Sequence, residues 1–121
     1  MSTSTPSTGT RPKAYAIAYL REVDLGDAIV EYIQRIDETL APYVGRFLVH
    51  GGDLTPAEGT WDGSVVIIEF PDTDAARGWY DSPDYQAILP LRTEHSQSIA
   101  CIVEGVPNGY RAVDKLAALM G

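Results

Sequence analysis

The chain has 121 residues, of which 45% are hydrophobic and 21% charged, a composition typical of one globular domain that buries its own core. Its nine basic and seventeen acidic residues give a formal net charge of −8, which argues against a protein that coats nucleic-acid phosphates. No apolar run approaches the roughly 20 residues that span a bilayer. The one cysteine, Cys101, excludes an internal disulfide and fits a cytoplasmic location.

The first readable element is a strand that follows a polar tail. Residues 1–12 are rich in Ser and Thr and have no apolar stretch, so they predict a flexible tail rather than a secretory signal. A strand is expected over residues 13–20, where Tyr15, Ile17 and Tyr19 alternate with alanines. The small side chains on the alanine face leave room for a helix to pack closely.

A helix follows this strand. Asp24 is its expected N-cap, because a carboxylate there can accept hydrogen bonds from the first turn. Pro42 marks the place where the helix should have ended. Spacings of four, three and four residues predict one apolar stripe, formed by Ile29, Ile33, Ile36 and Leu40.

The next two elements are strands, predicted over residues 44–50 and 64–70. In the first of them, regular alternation would place Arg46 and His50 on the same face of the sheet. The second is a nearly continuous apolar run that contains Glu69, and such a run is typical of a central strand covered on both faces.

The second half of the domain is predicted to contain two helices before the last strand. Asp72 can cap a short helix, and Ser82 followed by proline predicts the start of another. Pro90 should kink or break that helix, because it lacks the N–H that the helix needs there. The chain then continues with a strand over residues 99–104 and a C-terminal helix over 111–120.

This order of elements predicts an α+β fold of the ferredoxin-like type. A chain with the element order βαββαβ (strand, helix, strand, strand, helix, strand) folds into a four-stranded antiparallel sheet with its helices on one face. Here an extra C-terminal helix follows. The other face would be uncovered and largely apolar, which is uncommon in a monomer. We therefore predict a homodimer in which two sheets face each other as a dimeric α+β barrel.

Four blocks of sequence carry a resemblance to a known family. They are GRFLVHGG at 45–52, VVIIEFP at 65–71, WYDSPDYQ at 79–86 and IVEGV at 102–106. In this order they resemble domain-of-unknown-function family 1330, whose members look like dimeric α+β barrels. The resemblance implies a domain over residues 13–106, preceded by the tail at 1–12 and followed by a helical extension at 107–121. The chain departs from the family pattern at His50, where arginine is common, and at Pro90.

Three polar residues of the second and third strands are candidate catalytic groups. His50 can exchange protons near neutral pH, and Arg46 on the same predicted face can hold an anionic oxygen. Glu69 lies in an apolar strand and would orient or tune that pair. The alternative for His50 is an ordinary surface or hydrogen-bonded histidine at a strand end. The alternative for Glu69 is a structural ion pair with Arg46 or with an arginine on a helix.

Aromatic and basic side chains could form the walls of a ligand site. A tyrosine presents a flat apolar ring with a polar tip, which suits a cyclic or aromatic ligand, although core or interface packing is the alternative. The candidate ligand-binding residues are Tyr15, Tyr19, Trp61, Tyr85 and Arg92. No His-x-His, HExxH or Cys-x-x-Cys pattern occurs, so neither a metal site nor a cofactor is predicted.

These observations lead to one main functional hypothesis and two alternatives. The main one is a cofactor-independent enzyme, of isomerase, cyclase or monooxygenase type, that acts on a small cyclic or aromatic molecule. The first alternative is a non-catalytic dimer that binds such a molecule, and the second is a structural module whose interior is filled. The expected partners are a second copy of the chain and a small-molecule ligand, without nucleic acid or membrane.

Overall fold

The computed structural model of the protein describes residues 11–121, so the predicted tail lies outside the described residues except for its last two positions. The strands are β1 (Ala14–Arg21), β2 (Arg46–His50), β3 (Ser64–Phe70) and β4 (Gln97–Glu104). The helices are α1 (Asp27–Leu40), α2 (Thr73–Asp81), α3 (Pro83–Thr93) and α4 (Lys115–Met120), with 3₁₀ turns at Ala41–Tyr43 and Ala112–Asp114.

The four strands form one antiparallel sheet in the order β2-β3-β1-β4. Helices α1, α2 and α3 cover one face, because their buried side chains share a core cluster with alternate residues of β1 and β3. The sheet order and the one-sided helical layer confirm the predicted α+β ferredoxin-like fold. Among residues 11–121, none of the helices combines the length and apolar character of a membrane-crossing segment.

The core is centred on Trp79, which is 3% exposed. Its ring centroid lies 4.1 Å from that of Tyr85 and 5.4 Å from that of Phe70. The indole Nε1 donates a hydrogen bond to Thr39 Oγ1 over 2.9 Å, and that hydroxyl donates to Ile36 O over 2.7 Å. The buried polar atoms of Trp79 and Thr39 are therefore satisfied inside the core.

The other face of the sheet is not covered by any helix of the described chain. We call it the open face; register places on it Arg46, Glu69, Tyr15, Val103, Ile67, Ile17, Cys101, Tyr19 and Ile99. Ile99 is 74% exposed and Val103 is 46% exposed in the single chain. The prediction of an uncovered, largely apolar face is thus confirmed.

Two helix caps agree with the sequence and one does not. Asp72 Oδ1 accepts a hydrogen bond from the backbone of α2, and Ser82 Oγ accepts one from the backbone of α3. The predicted cap Asp24 is wrong, because α1 begins at Asp27 and its N-cap is Gly26. The backbone N–H of Asp24 instead donates to His95 O over 2.8 Å, which ties this loop to the end of α3.

The start of β2 and the course of α3 also differ from the prediction, as do the starts of β4 at Gln97 and of α4 at Lys115. The strand expected from residue 44 begins at Arg46, because Val44 adopts a left-handed conformation with φ of 59°. Helix α3 is not broken at Pro90 but continues to Thr93. Pro90 and Gln86 are both exposed, so water can satisfy the carbonyl that the proline leaves without a donor.

Candidate functional site

The three candidate catalytic residues lie on two different faces of the sheet. Between Phe47 and Val49 the register with β3 shifts by one residue, so Leu48 is the extra residue of a β-bulge. Arg46 pairs with Glu69 on the open face, whereas His50 pairs with Val66 on the helix-covered face. The prediction that Arg46 and His50 share a face was therefore wrong, because the bulge resets the alternation between them.

Glu69 and Arg46 form an ion pair on the open face. Arg46 Nε donates to Glu69 Oε1 over 2.8 Å, Lys13 Nζ lies 3.9 Å from the same oxygen, and Tyr15 OH donates to Oε2 over 3.4 Å. The hydrogen bond from Arg46 lowers the pKa of Glu69, and the positive charges of Arg46 and Lys13 lower it further. Partial desolvation of the carboxylate raises the pKa but does not outweigh these effects. This geometry matches the structural alternative for Glu69.

Tyr19 and Trp61, two of the predicted ligand-binding residues, also lie on the open face. Their rings meet edge to face with centroids 5.6 Å apart, and Tyr19 OH donates to Asp62 Oδ1 over 2.8 Å. Trp61 Nε1 donates to Glu58 O over 2.9 Å. The structure therefore separates Tyr15, Tyr19 and Trp61 from the other two residues of the predicted ligand site.

Those other two residues, Tyr85 and Arg92, line a cavity of about 730 Å³ between the sheet and the helices, which we call the cleft. Its walls come from β1, β2, β3, β4, α1, α2 and α3 and are mainly aliphatic and aromatic. The residues used below are Tyr32, Ile33, His50, Arg77, Trp79, Asp81, Tyr85 and Arg92. Ile33, predicted as part of the buried stripe of α1, is 48% exposed because it faces this cleft.

The buried end of the cleft holds a small polar group. The hydroxyls of Tyr32 and Tyr85 lie 2.6 Å apart, and Tyr85 is 2% exposed. Arg92, which is 5% exposed, donates from Nη1 to Ser98 Oγ over 2.6 Å, and its Cζ lies 5.9 Å from the centroid of the Tyr32 ring. Burial, and secondarily the neighbouring Tyr85, raise the pKa of Tyr32 far above its usual value, so this phenol stays neutral.

Tyr32 and Ser98 are site residues that the sequence reasoning missed. A signal for Tyr32 was present, because it lies three residues after Ile29 and four before Ile36, on the apolar side of α1. Ser98 gave no such signal. Its position beside Arg92 arises only when the chain turns back from α3 into β4.

His50 lies at the exposed rim of the cleft. Its ring stacks on Phe47 with centroids 4.5 Å apart and an interplanar angle of 13°. Strand β2 is one edge of the sheet and β4, which carries Ser98, is the other. Three strand spacings of about 4.8 Å therefore put roughly 14 Å between the backbone at His50 and the strand beside Arg92.

Within residues 11–121 there is no group of three or more His, Cys, Asp or Glu side chains placed to hold a metal ion. The chemistry available in the cleft is that of an imidazole, two guanidinium groups, a carboxylate and phenols. These groups can move a proton or hold an anionic oxygen.

Fold and cleft together define a ferredoxin-like α+β protein with a cavity of ligand size beneath its helices. Residues 13–106 match the family described as domain of unknown function (DUF1330), and the chain belongs to that family. The resemblance seen in the four sequence blocks is thereby confirmed. No curated protein matches the chain.

Several solved structures share the fold. A protein of unknown function from Rhodopseudomonas palustris is 16% identical with a TM-score of 0.55, and the match covers 79% of this chain and 84% of that one. A dimeric ferredoxin-like protein of unknown function from Thermobifida fusca is 23% identical with a TM-score of 0.53, covering 78% and 92%. SnoaB, a cofactor-independent oxygenase from Streptomyces nogalater, is 16% identical with a TM-score of 0.53, covering 83% and 99%. At these identities the likeness shows a common fold.

Proposed function

We propose that this protein is a cofactor-independent enzyme that acts on a cyclic or aromatic molecule bound in the cleft. The observation that carries the proposal is the cleft itself, with a volume of about 730 Å³, apolar walls and His50 at its rim. Ligand sites commonly enclose about 300–1,000 Å³ and have a few polar groups on mostly apolar walls. SnoaB, with the same fold, is described as a cofactor-independent oxygenase, which is consistent with this class of activity.

The dimensions of the cleft restrict the size of the ligand. His50 is on β2 and Arg92 lies beside β4, and these two strands are three strand spacings, or roughly 14 Å, apart. A molecule that contacts both residues must span most of this distance. A single six-membered ring is too short for this. The cleft therefore suits a ligand of several fused or linked rings.

His50 is the acid or base of the proposed reaction. Its neutral imidazole takes a proton from an acidic C–H or O–H of the bound molecule, which leaves an imidazolium and a ligand anion. Return of that proton to another atom of the ligand completes an isomerisation or cyclisation without an oxidant. In a monooxygenase, molecular oxygen would be the co-substrate and would oxidise the anion, so that a CH₂ group becomes a carbonyl with one oxygen atom and the other leaves as water.

Deuterium exchange tests this proposal directly. The protein is incubated in D₂O with bicyclic and tricyclic aromatic ketones and phenols, and deuterium incorporation and product are followed by NMR and mass spectrometry. Substitution His50→Gln is expected to slow exchange by at least about 100-fold, the low end of acid–base contributions. His95→Gln is the matched control, because His95 is bonded through Nδ1 to Leu91 O at 3.1 Å and does not line the cleft. Equal exchange in His50→Gln and the wild type would remove His50 from the mechanism.

A second candidate function is non-catalytic binding of the same class of ligand. The observation that favours it is the separation of the predicted trio, because Arg46 and Glu69 pair with each other on the open face and not with His50. The same experiment separates the two functions. A ligand that binds in the cleft but shows neither exchange nor product supports binding alone.

The proposed assembly is a homodimer formed through the open face. Ile99 and Val103 are exposed there in the single chain, and apolar faces of this extent are normally covered. The Thermobifida fusca protein with the same fold is described as dimeric. In such a dimer the Arg46–Glu69 pair lies between the two sheets and contributes to the fit of the interface rather than to catalysis.

A further inference from the structure

We infer that the ligand of the cleft carries a carboxylate, or an anionic oxygen of the same geometry, and that Arg92 binds it. This inference rests on the proposed function, because it names the chemical class of the molecule that the cleft takes. It is carried by the position and partners of Arg92, by the charges that line the cleft and by the hydrogen-bond donors of the two tyrosines.

Arg92 is a buried charge that has no carboxylate partner in the described chain. Its side chain lines the cleft and the residue is 5% exposed, yet within residues 11–121 no carboxylate oxygen lies within 4.0 Å of it. Among those residues, its guanidinium donates a hydrogen bond to Ser98 Oγ and lies within reach of the hydroxyls of Tyr32 and Tyr85, so all of its partners are neutral. Burying a charge without its counter-ion is costly, and binding an anion removes that cost.

The charges around the cleft favour an anion as well. Two arginines, Arg77 and Arg92, line it together with one acid, Asp81. Arg77 and Asp81 are exposed, whereas Arg92 is buried. In a chain with a formal net charge of −8, a locally positive cleft is a departure from the overall charge and raises the local concentration of anionic ligands.

The tyrosine pair supplies a further donor. Tyr32 and Tyr85 have two hydroxyl protons between them, and their mutual hydrogen bond of 2.6 Å uses one. The second proton is free to bond to a third group. Because Arg92 lies over the Tyr32 ring, a planar carboxylate at this end can meet the guanidinium fork and a phenol O–H together.

These three observations define the ligand more closely. Its carboxylate lies at the buried end on Arg92, and its rings extend along the apolar walls toward His50 at the rim. The expected class is an aromatic or polycyclic carboxylic acid in its ionised form.

Two probes of nearly equal shape test this inference. 2-Naphthoate is an anion at pH 7.5 and 2-naphthamide is its neutral counterpart, and their Kd values are measured by isothermal titration calorimetry on the full chain. We expect wild-type protein to bind 2-naphthoate at least 10-fold more tightly. Arg92→Gln should bring the ratio of the two Kd values close to one. Arg77→Gln, which removes an exposed arginine of the same cleft, should leave a clear preference for the anion.

Each outcome decides between the inference and the function on which it rests. Binding of both probes with equal affinity, or a preference that survives Arg92→Gln, overturns the anion site but leaves an aromatic-binding cleft. Binding of neither probe overturns the proposed function and the anion site together. If Arg92→Gln does not fold, as judged by circular dichroism, the double variant Tyr32→Phe with Tyr85→Phe replaces it. This variant keeps both rings and the charge but removes both hydroxyls and therefore the free donor. The ratio should then fall several-fold, and an unchanged ratio counts against the site.

Discussion

Deletion of Leu48 is expected to leave the protein folded, with every side chain of β2 on its present face. Leu48 is the extra residue between Phe47 and Val49, whose partners Ile68 and Ile67 are adjacent in β3. Because β2 is an edge strand, its ladder can close over the gap without disturbing a second neighbour. The shortened strand would alternate regularly and would still place His50 opposite Val66.

The structure allows the cost to be compared with that of a matched deletion. Leu48 is 45% exposed, so its removal gives up about half of a leucine's burial, or about 1 kcal/mol. Deleting Ile67 from the interior strand β3 would instead turn Ile68 and Phe70, which are 3% and 1% exposed, away from the core. Their burial is worth roughly 1.5–3 kcal/mol each, and bringing Glu69 inside costs several more. That loss is comparable to the whole stability of a small domain, about 5–15 kcal/mol.

Urea unfolding followed by circular dichroism measures both deletions. The variant without Leu48 should unfold cooperatively with a free energy of unfolding lowered by about 1 kcal/mol. Its His50 ring protons should keep the upfield NMR shift that stacking on Phe47 produces. A variant without Leu48 that fails to fold, or a variant without Ile67 that folds normally, would refute the assignment of Leu48 as a dispensable bulge residue.

Three other substitutions test the open face and the backbone. Ile99→Asp should convert the proposed dimer to a monomer in sedimentation equilibrium. The control Val30→Asp, on the outer side of α1, should leave the dimer intact. A protein that stays dimeric with Ile99→Asp must dimerise through another surface. The pKa of Glu69 is lowered in the folded chain, so its stabilising effect is complete above the ordinary glutamate pKa of about 4.3 and is lost below it. The difference in Tm between wild type and Glu69→Gln should therefore shrink as the pH falls below about 4.3, and a constant difference would contradict the ion pair. Val44→Asn should raise the free energy of unfolding by about 1 kcal/mol, because asparagine tolerates the left-handed conformation of this residue better than valine does. A lower Tm in this variant would argue against backbone strain at Val44.

Most of the fold was predictable because its signals are local. The alternation of Tyr15, Ile17 and Tyr19 with alanines assigned the two faces of β1 correctly, since a strand with one buried face shows period two. The caps at Asp72 and Ser82 were also predicted, because each acts on a backbone N–H three residues away.

The candidate site was predictable only in part. Tyr85 and Arg92 line the cleft, but the grouping of Arg46, His50 and Glu69 failed at the bulge. Residues 46–50 show no local mark of that bulge, because it exists only in relation to the partner strand β3. A single unpaired residue was enough to move His50 to the opposite face from Arg46.

The sequence by itself determined the order of elements, the existence of one helix-covered and one open face, and the family to which the chain belongs, because periodicity, caps and motif order are written along the chain. Only the tertiary structure decided that Arg46 and Glu69 form an ion pair away from His50, and that Arg92 is buried beside Ser98 and two tyrosines with no carboxylate near it within residues 11–121. These facts depend on strand register, on the packing of α3 against α1 and on the turn from α3 into β4. Both arise from contacts between segments that are distant along the chain, or that meet only when it turns back on itself.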